Sequence, residues 1–408
     1  MRIASSTLFN QNVSRMLDLQ TDVARYNEQI SSGKRILKAS EDPTFAARGL
    51  ELDERLSALD QFGRNMDMLE GRLTQQEAVI DSAQNLMFRV KDLLVQGKNG
   101  ALSVDDRRFI ATEIRERRDE LLALANTQNS SGEFIFAGLE NRTQPFAEAQ
   151  SGRVEFRGDQ GTREFKISET RRLSEGVSGN ELFMAIRNGN GVFTNDSDPG
   201  NTGTGRIVPL GVRDQGAYAP ENFEIRFTDP ETFEVVNVST TPESLEPAPG
   251  GGTDWNFSAG SAIAFNGIEV AIEGQPAAGD VFTVSPSANQ SIFDTLDNIA
   301  DALEGPQGSP VADARFTQAL DNAISDSDQA LERLLDSRSM LGGRLNVIGA
   351  QRLSNEDYAF QLEKAKSDFE DVDLVEAISN LSYSSTILEA AQATFARVQG
   401  LSLFNFLR

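Results

Sequence analysis

Apolar residues recur at every seventh position over the longest patterned stretch of the chain. The series is Leu52, Leu59, Met66, Leu73, Ile80, Met87 and Leu94, without a miss. A repeat of seven keeps these side chains on one face of an α-helix, as in the seam of a coiled coil. At 1.5 Å per residue, this segment predicts a helix of roughly 60 Å, which must pack along its length against partners of similar length.

The C-terminal third has the same seven-residue pattern. Its members are Leu320, Leu334, Leu341, Ile348, Leu362 and Phe369, with Ser327 and Asn355 as polar interruptions. The register shifts around residues 370–373, and the series then continues through Leu374, Leu381, Leu388 and Phe395. The first 33 residues carry a shorter heptad pattern of their own. Both ends of the chain therefore predict long helices.

Between about 145 and 290 the hydrophobic period falls to two, which is typical of half-buried strands. The strand-like runs are 154–156, 165–167, 223–227, 233–238, 263–265, 268–272 and 281–284. Residues 195–205 are expected to form a turn region, and Asn266-Gly267 is a hairpin signal. The predicted fold is therefore α+β: long antiparallel helical, coiled-coil arms from both termini, with an inserted all-β domain.

These changes of pattern predict five segments. They are an N-terminal assembly segment (1–44), a helical arm (45–145), the β domain (146–290), a returning helical arm (291–365) and a C-terminal assembly segment (366–408). The apolar face of both terminal segments is thin and is interrupted by polar residues. Such helices bury too little area alone to offset the entropy of ordering. We expect both to be disordered in the monomer and to fold when other copies supply the missing surface.

The candidate assembly interface consists of the apolar residues on these two terminal stripes. They are Phe9, Met16, Leu19, Val23, Tyr26, Ile30, Leu374, Ile378, Leu381, Leu388, Phe395, Val398, Leu401 and Leu403.

The composition excludes most catalytic chemistry. The chain has no Cys and no His, so it has no disulfide, thiolate nucleophile, imidazole base or His-ligated metal. The spacing of Ser31 and Lys34 matches Ser-x-x-Lys enzymes but lacks their companion motifs, and a calcium-like loop from Asn195 lacks the ligating Glu at its end. We expect no enzyme activity, no cofactor and no metal site.

The net charge of −24 argues against nucleic-acid binding, since phosphate neutralisation requires a basic surface. No stretch approaches the length of apolar sequence that crosses a bilayer, and the N-terminus does not resemble a cleaved signal peptide. We expect no membrane insertion. A structural or binding role is therefore favoured before any family likeness is considered.

Several stretches resemble the flagellin superfamily. At the ends of the chain they are 1–9, 30–36, 39–43 and 375–408. Within the superfamily, the closer likeness is to the hook-associated proteins of the hook–filament junction rather than to flagellins. It lies in Lys34-Arg35, in 125–138 followed by 144–146, and in 265–270, 279–284 and 290–296. The likeness is weak across about 150–255.

The resemblance implies a structural adaptor of the bacterial flagellum. Such a protein is exported unfolded without a cleaved signal peptide, is a monomer in solution, and assembles as a ring at the extracellular hook–filament junction. The implied partners are other copies of the chain, hook-associated protein 1, flagellin, and an export chaperone at the C-terminal region. Flagellin itself is the first alternative, and a surface adhesin on a helical stalk is the second; an enzyme comes last.

Overall fold

The computed structural model describes the backbone of residues 2–239, 241–245 and 254–404. Side chains are described for residues 7, 9–239, 241–245 and 254–397. Within the described residues, the α-helices are α1 (Arg2–Ser32), α2 (Pro43–Gly97), α3 (Val104–Ala125), α4 (Ile292–Leu303), α5 (Pro310–Glu370) and α6 (Leu374–Phe404). A short π-helix occupies Asn180–Met184.

All described strands lie between α3 and α4. They are β1 (Phe146–Glu148), β2 (Val154–Phe156), β3 (Glu164–Lys166), β4 (Arg172–Ser174), β5 (Ile186–Arg187), β6 (Phe193–Ser197), β7 (Arg206–Val212), β8 (Phe223–Asp229), β9 (Thr232–Asn237), β10 (Glu243–Ser244), β11 (Trp255–Asn256), β12 (Ala262–Phe265), β13 (Ile268–Glu273), β14 (Val281–Pro286) and β15 (Asn289–Gln290). The predicted α+β class, with terminal helices and a central β-rich region, is confirmed.

The chain divides into two compact units. The first contains residues 1–65, 167–169 and 349–408, and therefore includes α1, α6 and the adjoining ends of α2 and α5. The second contains residues 66–166 and 170–348, which include α3, α4, the remainder of α2 and α5, and nearly all of the β-rich region.

In the second unit, the predicted heptad residues form the helical core. Their side chains are fully or almost fully buried: Met66, Leu73, Ile80, Met87 and Leu94 on α2, and Leu320, Leu334, Leu341 and Ile348 on α5. Ion pairs fix the antiparallel register, because Lys91 pairs with Asp328 and Lys98 pairs with Asp321. The two lysines are seven residues apart on α2, and their aspartate partners are seven residues apart in the opposite direction on α5, as an antiparallel coiled-coil register requires.

Polar residues within the helical core are buried and hydrogen-bonded. Gln76 donates to the carbonyl of Ile135 (2.7 Å) and accepts from the amide of Val177 (3.1 Å). The Ser327 hydroxyl donates to the carbonyl of Ala323 at 2.7 Å. Because a buried polar group without a partner is costly, these bonds explain how the seam accepts polar residues. Through these two bonds, Gln76 also links the loop segments that contain Ile135 and Val177 to α2.

Capping motifs mark the starts of three helices. Ser103 and Asp106 form a capping box at the start of α3, and Ser291 caps α4 by accepting from the Asp294 amide. At the start of α2, Asp42 accepts from the amide of Phe45, and Pro43 is the first helical residue.

The β-rich region is built around two antiparallel sheets. The larger has the order β10-β9-β8-β14-β6, with β11 also paired to β9, and the smaller has the order β12-β13-β7. Both contribute to one buried apolar cluster that includes Phe193, Ile225, Phe233, Val270 and Phe282. Every predicted strand is present. The β12–β13 hairpin turns at Asn266 and Gly267, which both have positive φ as the predicted turn requires.

The predicted turn at 195–205 begins too early. Residues 193–197 form β6, and the loop starts only after Ser197. Asn195 is buried in this strand, where its amide donates to the carbonyl of Ile207 at 2.9 Å. The polar run Asn-Asp-Ser is typical of a turn, but in this edge strand the Asn195 side chain finds its partner on the neighbouring strand β7. The following strand, β7, was not predicted because it contains Pro209 and Gly211, and an edge strand tolerates both.

In the second unit, a row of polar side chains on one face of α5 makes hydrogen bonds with the edges of the sheets. Asn322 donates to the carbonyl of Asn195 on β6 (2.9 Å), and Gln318 accepts from the amide of Ile207 on β7 (2.8 Å). One turn further along, Asp326 accepts from the amide of Gly189 at 2.7 Å, and burial raises the pKa of this carboxyl. The spacing of three to four residues places these side chains on one helix face. Asn322 and Gln318 thus cover strand edges that would otherwise present unpaired backbone groups.

Candidate assembly surface

The two terminal helices lie antiparallel in the first unit. Near the N-terminal end of α1 and the C-terminal end of α6, the rings of Phe9 and Phe395 are 5.3 Å apart. At the other end, the amide of Val372, just before α6, donates to the carbonyl of Gly33, just after α1, at 2.9 Å. The stripes predicted as assembly segments therefore meet along most of their length within one chain.

Most candidate residues are half-buried between these helices. On α1 they are Met16, Leu19, Val23, Tyr26 and Ile30, with Phe9 more exposed. On α6 they are Leu381, Leu388 and Phe395. By contrast, Leu374 and Ile378 are exposed. Val398, Leu401 and Leu403 fall outside the residues whose side chains are described.

Sequence reasoning missed the two most buried positions of α6. Ala377 and Ser384 are only 4% and 9% exposed, and each lies three residues after a member of the predicted series. They stand one heptad apart, which is the signal that could have revealed them. Their small side chains allow close approach to α1, but a search for large apolar residues passes over them.

The terminal helix pair has a thin core. Across residues 9–32, where every side chain is described, no residue of α1 is buried. In the second unit, α2 buries Leu69, Leu73, Ile80 and Met87 completely. Since the hydrophobic free energy scales with the apolar area removed from water, the terminal pair is held much more weakly than the second unit.

The face of α6 that points away from α1 is also apolar. Val375 is 81% exposed, Ile378 54% and Tyr383 69%. With Ser379, Ser382 and Thr386, they line a shallow groove of about 620 Å³, which we call the outer face of α6. No charged residue occurs in the sequence between Glu376 and Glu389. A helix that is apolar on two opposite faces is normally covered on both.

A second groove runs beside the seam between the two helices. It has a volume of about 400 Å³ and is lined by Met16 and Leu19 of α1 together with Ile387, Ala391 and Phe395 of α6, among others.

The exposed side of α1 carries charged residues, unlike the outer face of α6. Asp22 and Arg25 form an exposed ion pair at 3.0 Å. Leu17 is 57% exposed but stands beside Asp18 and near Arg15. Of the two helices, α6 therefore presents the apolar, uncharged surface and α1 the charged one.

The described part of the chain has neither a membrane-spanning helix nor a cluster of metal-ligating side chains. None of its helices is both long enough and apolar enough to span a bilayer. Within the same residues, the His, Cys, Asp and Glu side chains form no group of three or more that could hold a metal ion.

The helical ends match two family profiles. The bacterial flagellin N-terminal helical region matches residues 3–141, and the bacterial flagellin C-terminal helical region matches residues 324–407. Flagellar hook-associated protein 3 of Escherichia coli (strain K12) is 24% identical over 99% of both chains. The crystal structure of FlgL from Xanthomonas campestris is 30% identical, with a TM-score of 0.70 over 78% of this chain and 99% of that one.

The chain belongs to the flagellar hook-associated protein 3 family. Another member, described as the flagellar junction protein FlgL from Legionella pneumophila, is 29% identical, with a TM-score of 0.70 over 80% of this chain and all of that one. The resemblance to hook-associated junction proteins is confirmed.

Flagellin is a more distant relative. Flagellin FlaB1 of Treponema pallidum is 26% identical over only 34% of this chain. The hook-associated protein 3 relatives, by contrast, match almost end to end. The first alternative, flagellin itself, is therefore not supported.

Proposed function

We propose that this chain is a structural adaptor that assembles as a ring at the hook–filament junction and seats the flagellin filament. Family membership supports the flagellar role. The single observation that carries the assembly step is the exposed, uncharged, apolar outer face of α6, in a helix pair whose own core is thin.

The free chain leaves apolar surface of α6 uncovered. Val375, Ile378 and Tyr383 expose apolar surface to water, and a neighbouring subunit would remove it. Each copy carries a net charge of −24, so copies repel one another except where they meet through uncharged surface. The outer face of α6 provides such a surface. In this proposal, the candidate residues on both terminal helices form the interface, and segments 1–44 and 366–408 become fully ordered only on assembly.

The partners of the proposed ring follow from the same role. One side would meet hook-associated protein 1 and the other would seat the first flagellin subunits. Before assembly, a dedicated export chaperone would cover the C-terminal segment, whose apolar surface is otherwise exposed. Export through a narrow channel to the outside of the cell suits a chain without cysteine, because no disulfide has to be undone.

Electron microscopy of cells that lack this chain, with flagellin assayed in the medium, tests the proposal. We expect bare hooks and secreted, unpolymerised flagellin, and restoration of filaments when the full chain is supplied. Intact filaments in the deletion strain would contradict the junction role. That result would indicate an alternative filament subunit or an adhesin instead.

A further inference from the structure

The two larger sheets of the second unit differ in how their edges are closed. Asn322 and Gln318 of α5 bond the edge strands β6 and β7. At its other end, the larger sheet stops at β10 and β11, which are only two residues long each. The remaining edge belongs to β12 (Ala262–Phe265), which pairs with β13 alone. Among the described residues, no strand or side chain bonds the far side of β12.

The turn after β12 decides which of its backbone groups point outward. The Asn266-Gly267 turn has positive φ at both residues, so Phe265 and Ile268 exchange both of their backbone hydrogen bonds. Bonded and non-bonded pairs alternate along an antiparallel ladder. The N–H and C=O groups of Ala262 and Ala264 therefore point away from β13, and no group in the described part of the chain pairs with them.

The β12 edge also lacks most of the features that normally keep a further strand away. Exposed edge strands are usually protected by charged side chains, proline or a bulge. β12 contains no charge and no proline, and its register with β13 is continuous. Residues 255–268 are all uncharged, although a quarter of the residues in the chain are charged. Ala262 is exposed and Ala264 half-buried, and their small side chains leave the backbone accessible.

We propose that, in the assembled state, the open edge of β12 accepts an extended segment of a neighbouring copy, which adds a fourth strand to the smaller sheet. The spacing of the outward N–H and C=O groups of Ala262 and Ala264 matches an extended backbone, as in β-strand addition. Copies with a net charge of −24 repel one another, so an uncharged edge is where they approach at least cost. A contact this short is weak alone, but neighbours held side by side have a high effective concentration.

This inference rests on the proposed assembly, and hydrogen exchange distinguishes the two. Exchange is measured at single residues by mass spectrometry with electron-transfer fragmentation, on the free chain and on the chain in isolated flagella. In the free chain, we expect fast exchange at Ala262 and Ala264 and slow exchange at Ile263, whose amide faces β13. Assembly should slow Ala262 and Ala264 at least about tenfold. Fast exchange at both in assembled flagella would overturn the inference and leave the junction role in place.

Ala264→Pro removes an N–H that the chain itself does not use, so the pairing of β12 with β13 is retained. We expect this variant either to lose the protection of Ala262 on assembly or to fail to incorporate. Ala264→Ser is the matched control, because it keeps the N–H and nearly the same volume, and it should behave like the wild type. Slow exchange at Ile263 in the free chain shows that each variant is folded. If the proline disturbs the hairpin, the wild-type comparison decides alone. An incorporated, folded Ala264→Pro chain with full protection at Ala262 would contradict the inference.

The occupant of the edge is identified by cross-linking. Because the chain has no cysteine, Ala264→Cys provides a unique site for a benzophenone label. In assembled flagella, we expect adducts from position 264 to a second copy of the chain. Adducts exclusively to a different flagellar protein would overturn the assignment to a neighbouring copy.

Discussion

Replacing Ile378 with Asp is expected to abolish incorporation of the chain into flagella while leaving the second unit folded. Ile378 is 54% exposed on the outer face of α6, so a carboxylate there stays hydrated in the free chain. If a neighbouring subunit covers this face, the carboxylate becomes buried without a partner. That costs about 3 kcal/mol or more, which corresponds to at least a ~100-fold loss of binding. The measurement is the amount of chain in isolated flagella, together with motility.

The matched control for this substitution is Leu17→Asp. Leu17 is exposed to a similar extent, 57%, but lies on α1, where Arg15 and Asp18 are close in sequence. We expect this variant to be incorporated at close to the wild-type level. The amount of each variant secreted into the medium separates a failure of assembly from a failure of export. Normal incorporation of a secreted Ile378→Asp chain, or equal loss with Leu17→Asp, would contradict the assignment of the outer face of α6.

Replacing Phe183 with Ala is expected to give the largest loss of stability. Phe183 lies in the π-helix and is fully buried. Its ring meets Phe136 edge-on at 5.3 Å and Phe146 edge-on at 5.5 Å, with Phe293 of α4 at 6.2 Å. Removing it leaves a cavity among three other rings that are fixed by different elements. We expect the free energy of unfolding of the second unit to fall by about 3–5 kcal/mol.

Phe109→Ala provides the comparison for that measurement. Phe109 belongs to the same unit but is 72% exposed on α3, so its truncation should change the unfolding free energy by no more than about 0.5 kcal/mol. Urea unfolding followed by circular dichroism measures both variants. A loss below about 1 kcal/mol for Phe183→Ala would show that the packing of these four rings does not stabilise the second unit.

The helices could be predicted because each has a strong local sequence signal, either a seven-residue apolar repeat or a capping motif. A strict seven-residue repeat, as from Leu52 to Leu94, has no other common explanation than a long packed helix. The caps at Ser103 and Ser291 are local hydrogen-bonding motifs, so four residues suffice to find them. Short edge strands such as β6 and β7 have no such local sequence signal. Their pairing depends on distant partners, including Gln318 and Asn322 of α5.

The candidate assembly surface could be predicted only in part. The heptad pattern identified the half-buried residues of α1, such as Met16 and Val23, because polar neighbours leave only one face apolar. On α6 the pattern is ambiguous, since apolar and small uncharged residues occur nearly all round the helix. The sequence therefore placed Ile378 together with Leu381, whereas the structure places Ile378 on the outer face and Ala377 and Ser384 against α1.

Photochemical cross-linking from position 378 in assembled flagella tests the central claim most directly. The chain has no cysteine, so Ile378→Cys and Leu17→Cys each create a unique thiol for a benzophenone label. Illumination followed by mass spectrometry identifies what lies against each position. We expect abundant adducts from position 378 to a second copy of the chain or to an adjoining flagellar subunit, and few from position 17. An absence of adducts from position 378 in assembled flagella would contradict it.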